Sequence, residues 1–149
     1  MTMYEIRPWL FIGGFRDSAD PEVLALHRID AVLQLAGAPP APGCETLALE
    51  VEDGAPIPPE VLRAGVDFVA AARCAGRRCL VVCGAGISRS VAFATAALCE
   101  AEGLGLLAAA AEVRRGNPDA VFHPLLWESL TAFIGEEVPF REVLLRIGL

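Results

Sequence analysis

The stretch C-L-V-V-C, Cys79 to Cys83, is apolar at every position. A strand with one wet face alternates polar and apolar residues, so an unbroken apolar run is buried on both faces, like the central strand of a parallel sheet. Such a strand needs helices on both sides, and the rest of the chain offers them in alternation with further strands. Short β-type runs stand at Tyr4 to Arg7 and Leu10 to Ile12, separated by Pro8 and closed by Gly13 and Gly14. A helix is expected next, capped by Asp20 or Ser18, with Pro21 in its first turn and Val23, Leu24, Leu26 and His27 on its inward face. Ala31 to Leu35 and Thr46 to Val51 read as strands, joined by the turn-rich A-G-A-P-P-A-P-G. Further helices are expected at Pro59 to Cys74, Ser88 to Ala101, Leu106 to Arg115, Pro124 to Ile134 and Arg141 to Ile147. The pattern predicts an α/β fold over residues 1–149, a single domain with a mostly parallel central sheet of about five strands and helices on both faces.

At 149 residues the chain is long enough to bury a real core, and its 54% hydrophobic content suits one. The formal charge of −7 argues against nucleic acid or anionic membrane as the main partner, because phosphate-backbone binding needs a basic face. All 12 basic residues are arginine. Without lysine, Walker-type nucleotide binding, Schiff-base chemistry and a lysine general base are excluded. The five cysteines, at positions 44, 74, 79, 83 and 99, lack the spacing of a zinc site or a disulfide scaffold. A reduced, cytoplasmic protein is the expectation, with Cys44, Cys74, Cys79 and Cys99 as packing residues. Glu5 and Arg7 break the first apolar run, and Glu100, Glu102 and two glycines break the Ala/Leu-rich stretch from Val91 to Ala111. Neither reads as a secretory signal or a membrane span.

After Cys83 the sequence runs G-A-G-I-S-R-S before turning apolar again. In parallel sheets ligands sit beyond the carboxyl ends of the strands, and Cys83 stands at that end. Gly84, Ala85 and Gly86 leave room for backbone N–H groups to turn inward around one anion, and Ile87 and Ser88 complete the loop. The helix that follows adds the positive end of its dipole, and Arg89 adds a fork of donors suited to a tetrahedral oxyanion. The same donors would hold a cysteine at the base of the loop as thiolate, in the range of roughly 3.5–7.5 against about 8.5 for an ordinary thiol. Nucleophile and phosphate cradle coincide.

C-G-A-G-I-S-R-S resembles the signature of the dual-specificity branch of the cysteine-dependent protein tyrosine phosphatases. Similarity extends to Y-E-I-R-P-W-L-F-I-G-G at the start, to H-R-I-D-A-V-L-Q-L, and to V-R-R-G-N-P-D-A-V-F-H-P-L-L-W-E-S-L after the loop helix, so it covers nearly the whole chain. The resemblance implies a protein tyrosine phosphatase-like fold and hydrolysis of phosphate monoesters through a phosphocysteine, with no metal and no cofactor. It implies Cys83 as nucleophile and Arg89, with the amides of Gly84 to Arg89, as the phosphate clamp. It further implies Ser90 as a donor to the sulfur. Asp53, 30 positions before Cys83 in V-E-D-G-A-P-I-P-P, is implied as general acid. Glu52 or Glu50 takes that role if the loop is registered differently. The family usually has histidine just before the cysteine, ordering the loop and favouring thiolate; here the residue is Val82.

The expected substrate is a phosphorylated protein or small aryl phosphate, carrying phosphotyrosine and also phosphoserine or phosphothreonine. Polyphosphorylated lipid is disfavoured because the loop holds no basic residue before Arg89. Two alternatives stand beside this reading: a catalytically weak phosphate-binding pseudophosphatase, and a rhodanese-type sulfurtransferase, whose reaction needs neither Asp53 nor this arginine spacing. His27 and His123 match no functional position of the family and read as structural or surface groups. Oligomeric state is left open.

Overall fold

The computed structural model describes residues 3–37, 39–85 and 87–148. Its five strands are β1 (Tyr4–Arg7), β2 (Leu10–Gly14), β3 (Ala31–Gln34), β4 (Glu45–Ala48) and β5 (Cys79–Cys83). They form one sheet in the order β1-β2-β5-β3-β4, antiparallel only between β1 and β2. The fully apolar stretch is therefore the middle strand, and each of its five residues is buried. Along β5 the side chains alternate between two cores. Cys79, Val81 and Cys83 join the larger one, beneath helices α3 (Pro59–Cys74), α4 (Arg89–Glu102), α5 (Leu106–Gly116), α6 (Pro124–Ile134) and α7 (Phe140–Arg146). Leu80 and Val82 join the smaller one on the other face, with Phe11, Leu24, Ile29, Val32 and Ala41. α4 is buried at every residue from Ser90 to Cys99, as expected of a helix that is apolar all round.

The smaller face is closed by α1 (Phe15–Ser18) and α2 (Pro21–Leu26). Asp20 caps α2 through its carboxylate, which accepts the Glu22 N–H at 3.0 Å. Ser18 is not the cap; it is fully buried and donates to the Phe15 carbonyl. Two expectations about side chains are corrected. Leu26 is 78% exposed, because it follows the buried Leu24 by two residues, about 200° around the helix. Cys74 is exposed at the last turn of α3, whereas Cys79 and Cys99 are buried. β4 ends earlier than the pattern suggested, yet its continuation still follows β3: the Leu49 N–H donates to the Gln34 carbonyl at 2.8 Å, and the Val51 N–H to the Leu35 carbonyl at 3.3 Å. That continuation carries Glu50 to Asp53 to the carboxyl edge of the sheet. Among the described residues, no helix is long and apolar enough to cross a membrane.

Candidate active site

Cys83 ends β5 and is 2% exposed. Its Sγ lies 3.2 Å from Ser90 Oγ, and Ser90 is fully buried in the first turn of α4. Ser88 is the N-cap residue of α4, but its side chain makes no capping hydrogen bond, so the helix's first turn lacks a side-chain acceptor. Uncapped amides and the helix dipole make that end attractive to an anion.

Arg89 opens α4, and its guanidinium is anchored on one edge. Nη1 donates to the Val51 carbonyl at 3.0 Å and approaches the Leu35 carbonyl at 3.5 Å. Nε is buried and has no hydrogen-bond acceptor among the described residues. Asp53 Oδ1 stands 3.8 Å from it, on a side chain that is 72% exposed. Two missing side chains make this packing feasible. A Cβ on Gly84 would sit 3.3 Å from Arg89 Nη2, and one on Gly14 would sit 3.1 Å from the Gly84 carbonyl. Gly14 is also the register partner of Cys83 on β2, so the loop is braced from the neighbouring strand.

A cleft of about 510 Å³ opens beside Arg89, lined by Leu35, Ala36, Gly37, Glu50, Val51, Glu52 and Asp53. Among the described residues of the loop, Arg89 faces it and Cys83 does not line it. The other buried thiols are chemically quiet. Burial pushes the thiols of Cys79 and Cys99 up to about 12, so both stay protonated near neutral pH.

No protein-family model matches the sequence. Among curated proteins, the chain is 32% identical over 145 residues to Dual specificity protein phosphatase 22-B of Danio rerio, covering 93% of this chain and 78% of that one. It is 28% identical over 134 residues to mouse Dual specificity protein phosphatase 15, covering 88% of this chain but only 57% of that relative. The crystal structure of human DUSP28 superposes with a TM-score of 0.82 at 30% identity, over 89% of this chain and 95% of that one. The chain belongs to the dual specificity protein phosphatase family. As a dual specificity phosphatase chain, it has the five-stranded α/β fold that the family resemblance implied.

Of the residues that the sequence singled out, the structure brings Cys83 together with Ser90, and Arg89 with Asp53. Glu50 and Glu52 line the same cleft but make no ion pair with Arg89. Gly84, Ala85, Ile87 and Ser88 form the turn between strand and helix, while Gly86 lies outside the described residues. Sequence reasoning missed the supports. The Val121 N–H donates to the Ile87 carbonyl at 2.6 Å, so the segment after α5, which starts at the fully buried Asn117, braces the turn from behind. Asp17, 2% exposed, accepts the Gly14 N–H at 2.9 Å and fixes the end of β2 beside Cys83. The only available hint was N-P-D in a chain otherwise sparing with asparagine, and it says turn, not partner.

Proposed function

We propose that this chain hydrolyses phosphate monoesters on proteins, phosphotyrosine first and also phosphoserine and phosphothreonine, through a phosphocysteine. The observation that carries the reading is Arg89: anchored through Nη1, it keeps a buried Nε without an acceptor at a cleft where the sheet ends. A buried donor without a partner is costly, and a phosphate oxygen is a fitting acceptor. The Cys83 thiolate attacks phosphorus, forming the S–P bond as the P–O bond to the leaving group breaks. Asp53, as the carboxylic acid, gives its proton to the departing oxygen. Water then attacks phosphorus, Asp53 takes the water's proton, and the S–P bond breaks to return the thiolate. Ser90 Oγ, 3.2 Å from the sulfur, donates to it and eases its departure. Arg89 and the loop amides bind the equatorial oxygens throughout. No metal or cofactor takes part in this scheme.

The activity for which these relatives are named supports this reading over a sulfurtransferase or a bare phosphate-binding module. Because the step needs a reduced thiol, the cytoplasm is the fitting compartment. Release of phosphate from p-nitrophenyl phosphate tests the proposal, with Cys83→Ser alongside. Turnover by the wild type and none by Cys83→Ser, which still binds vanadate, is the expected result. No release by the folded wild type overturns it.

A further inference from the structure

We propose that Glu50 and Glu52 make this cleft selective for phosphopeptides that carry arginine or lysine next to the phosphorylated residue; the inference rests on the phosphatase reading above and names its substrate class. The two carboxylates are held in place by the backbone. Leu49 and Val51 pair with the end of β3, and Val51 is 7% exposed with its side chain in the larger core. In an extended segment neighbouring side chains point to opposite sides, so Glu50 and Glu52 face away from the core that Val51 enters. Both are exposed, both line the cleft with Asp53, and among the described residues neither has an ion-pair partner.

The charge balance is unusual for a site built to receive a dianion. Three carboxylates, Glu50, Glu52 and Asp53, share the cleft with one guanidinium, Arg89. Nη1 of that guanidinium is already engaged by the Val51 and Leu35 carbonyls, and on the phosphatase reading the phosphate sits over Cys83, which does not line this cleft. The rim acids therefore lie beside the phosphate and not beneath it. A substrate with acidic neighbours or several phosphates meets like charges there. One with cationic neighbours supplies the counter-charges that the rim lacks. Each favourable pair at an exposed rim is worth a few-fold in affinity at low salt, so two of them together reach about tenfold.

The test uses three phosphotyrosine peptides of equal length that differ only in flanking residues: arginine, alanine or glutamate. Binding to the Cys83→Ser protein is measured by calorimetry in EDTA at low salt, and wild-type turnover is followed on the same peptides. The expected order of affinity is arginine, alanine, glutamate, about tenfold apart at each step, compressing toward equality near 0.5 M salt, where screening is short-ranged. In the Glu50→Gln, Glu52→Gln double variant made in the Cys83→Ser protein, with an unchanged thermal midpoint as the fold control, the spread in binding affinity should fall to about twofold. Equal affinities for the three peptides, or a spread that survives in the double variant, overturns the inference. Absence of turnover on both p-nitrophenyl phosphate and the peptides, with the binding order intact, sinks the phosphatase reading alone.

Discussion

Val82 precedes the candidate nucleophile and points away from it, into the smaller core among Phe11, Leu24 and Val32, while Cys83 faces α4. Its register partner on β3 is Gln34, whose Oε1 is buried without a hydrogen-bond partner among the described residues. Gln34 Nε2 is already committed, to the Pro39 carbonyl at 2.6 Å and the Ser18 hydroxyl at 3.5 Å. A histidine at position 82 would stand one strand spacing from that unused acceptor, so the apolar face has one place for an imidazole N–H. Val82→His should therefore fold and, by tying down the strand end beneath the loop, lower the pH midpoint of Cys83 inactivation by iodoacetate. An unmoved midpoint in a folded variant, checked by circular dichroism, would show that Ser90 and the loop already do that work. Asp53 makes a separate prediction. Asp53→Asn should reduce kcat on an alkyl phosphate by about 10²–10⁴-fold, the usual contribution of a general acid, and far less on p-nitrophenyl phosphate, whose leaving group departs unaided. Equal losses on both substrates would assign the acid elsewhere, with Glu52 next in line on the same cleft.

What the sequence made legible at the level of elements follows the strength of each local signal. β5 was readable to the residue because five apolar positions in a row admit few other structures, and α3 because Pro59 and the exposed Ala75-Gly76 end bracket a clear helical period. α1 was not readable: F-R-D-S is four residues long, too short for periodicity, and it turns as a helix because Asp17 reaches back to the Gly14 N–H. The braces on the loop, Gly14 against Gly84 and Val121 on Ile87, join positions far apart in the chain, and no local pattern encodes which turn will meet which. Gly65 shows the same limit inside a readable helix. It lies in the middle of α3, where glycine is a poor helix former, and a Cβ there would sit 2.5 Å from the fully buried Phe93 ring of α4. Helix propensity alone predicts that Gly65→Ala stabilises by about 1 kcal/mol. Overpacking of a closed core costs about 1–3 kcal/mol, and here it should win, giving a lower midpoint in urea. Adding Phe93→Leu should recover part of the loss, since the two residues share one contact. An additive double variant would mean that the helices simply move apart.

Across the whole molecule the same arginines that exclude lysine chemistry also tie the helical layer to the sheet. Arg7 leaves β1 and meets Glu102 at the end of α4, Nε to Oε2 at 2.7 Å, and Glu112 of α5 at 2.8 Å. Its side chain is 20% exposed, so the pairs are partly shielded from solvent and salt, and one guanidinium joins the first strand to two consecutive helices some hundred residues later. The hydrogen bond from Arg7 is the main reason the Glu102 carboxyl is held below the ordinary carboxylate range, and it also raises the guanidinium. A carboxyl that is harder to protonate folded than unfolded contributes stability above its unfolded value of about 4.3, and that contribution disappears as pH falls through the lower folded value. Glu102→Gln removes this titration without removing the side chain. The wild type should therefore exceed the variant in urea stability at pH 7 by on the order of 1 kcal/mol, a modest figure because the pair is only partly buried. That gap should hold down to about pH 5, narrow below about 4.3, and close at more acid pH, where both side chains are neutral. A gap that stayed constant to pH 3 would mean that the amide had disturbed packing at the end of α4, and that the ion pair contributes nothing to the fold.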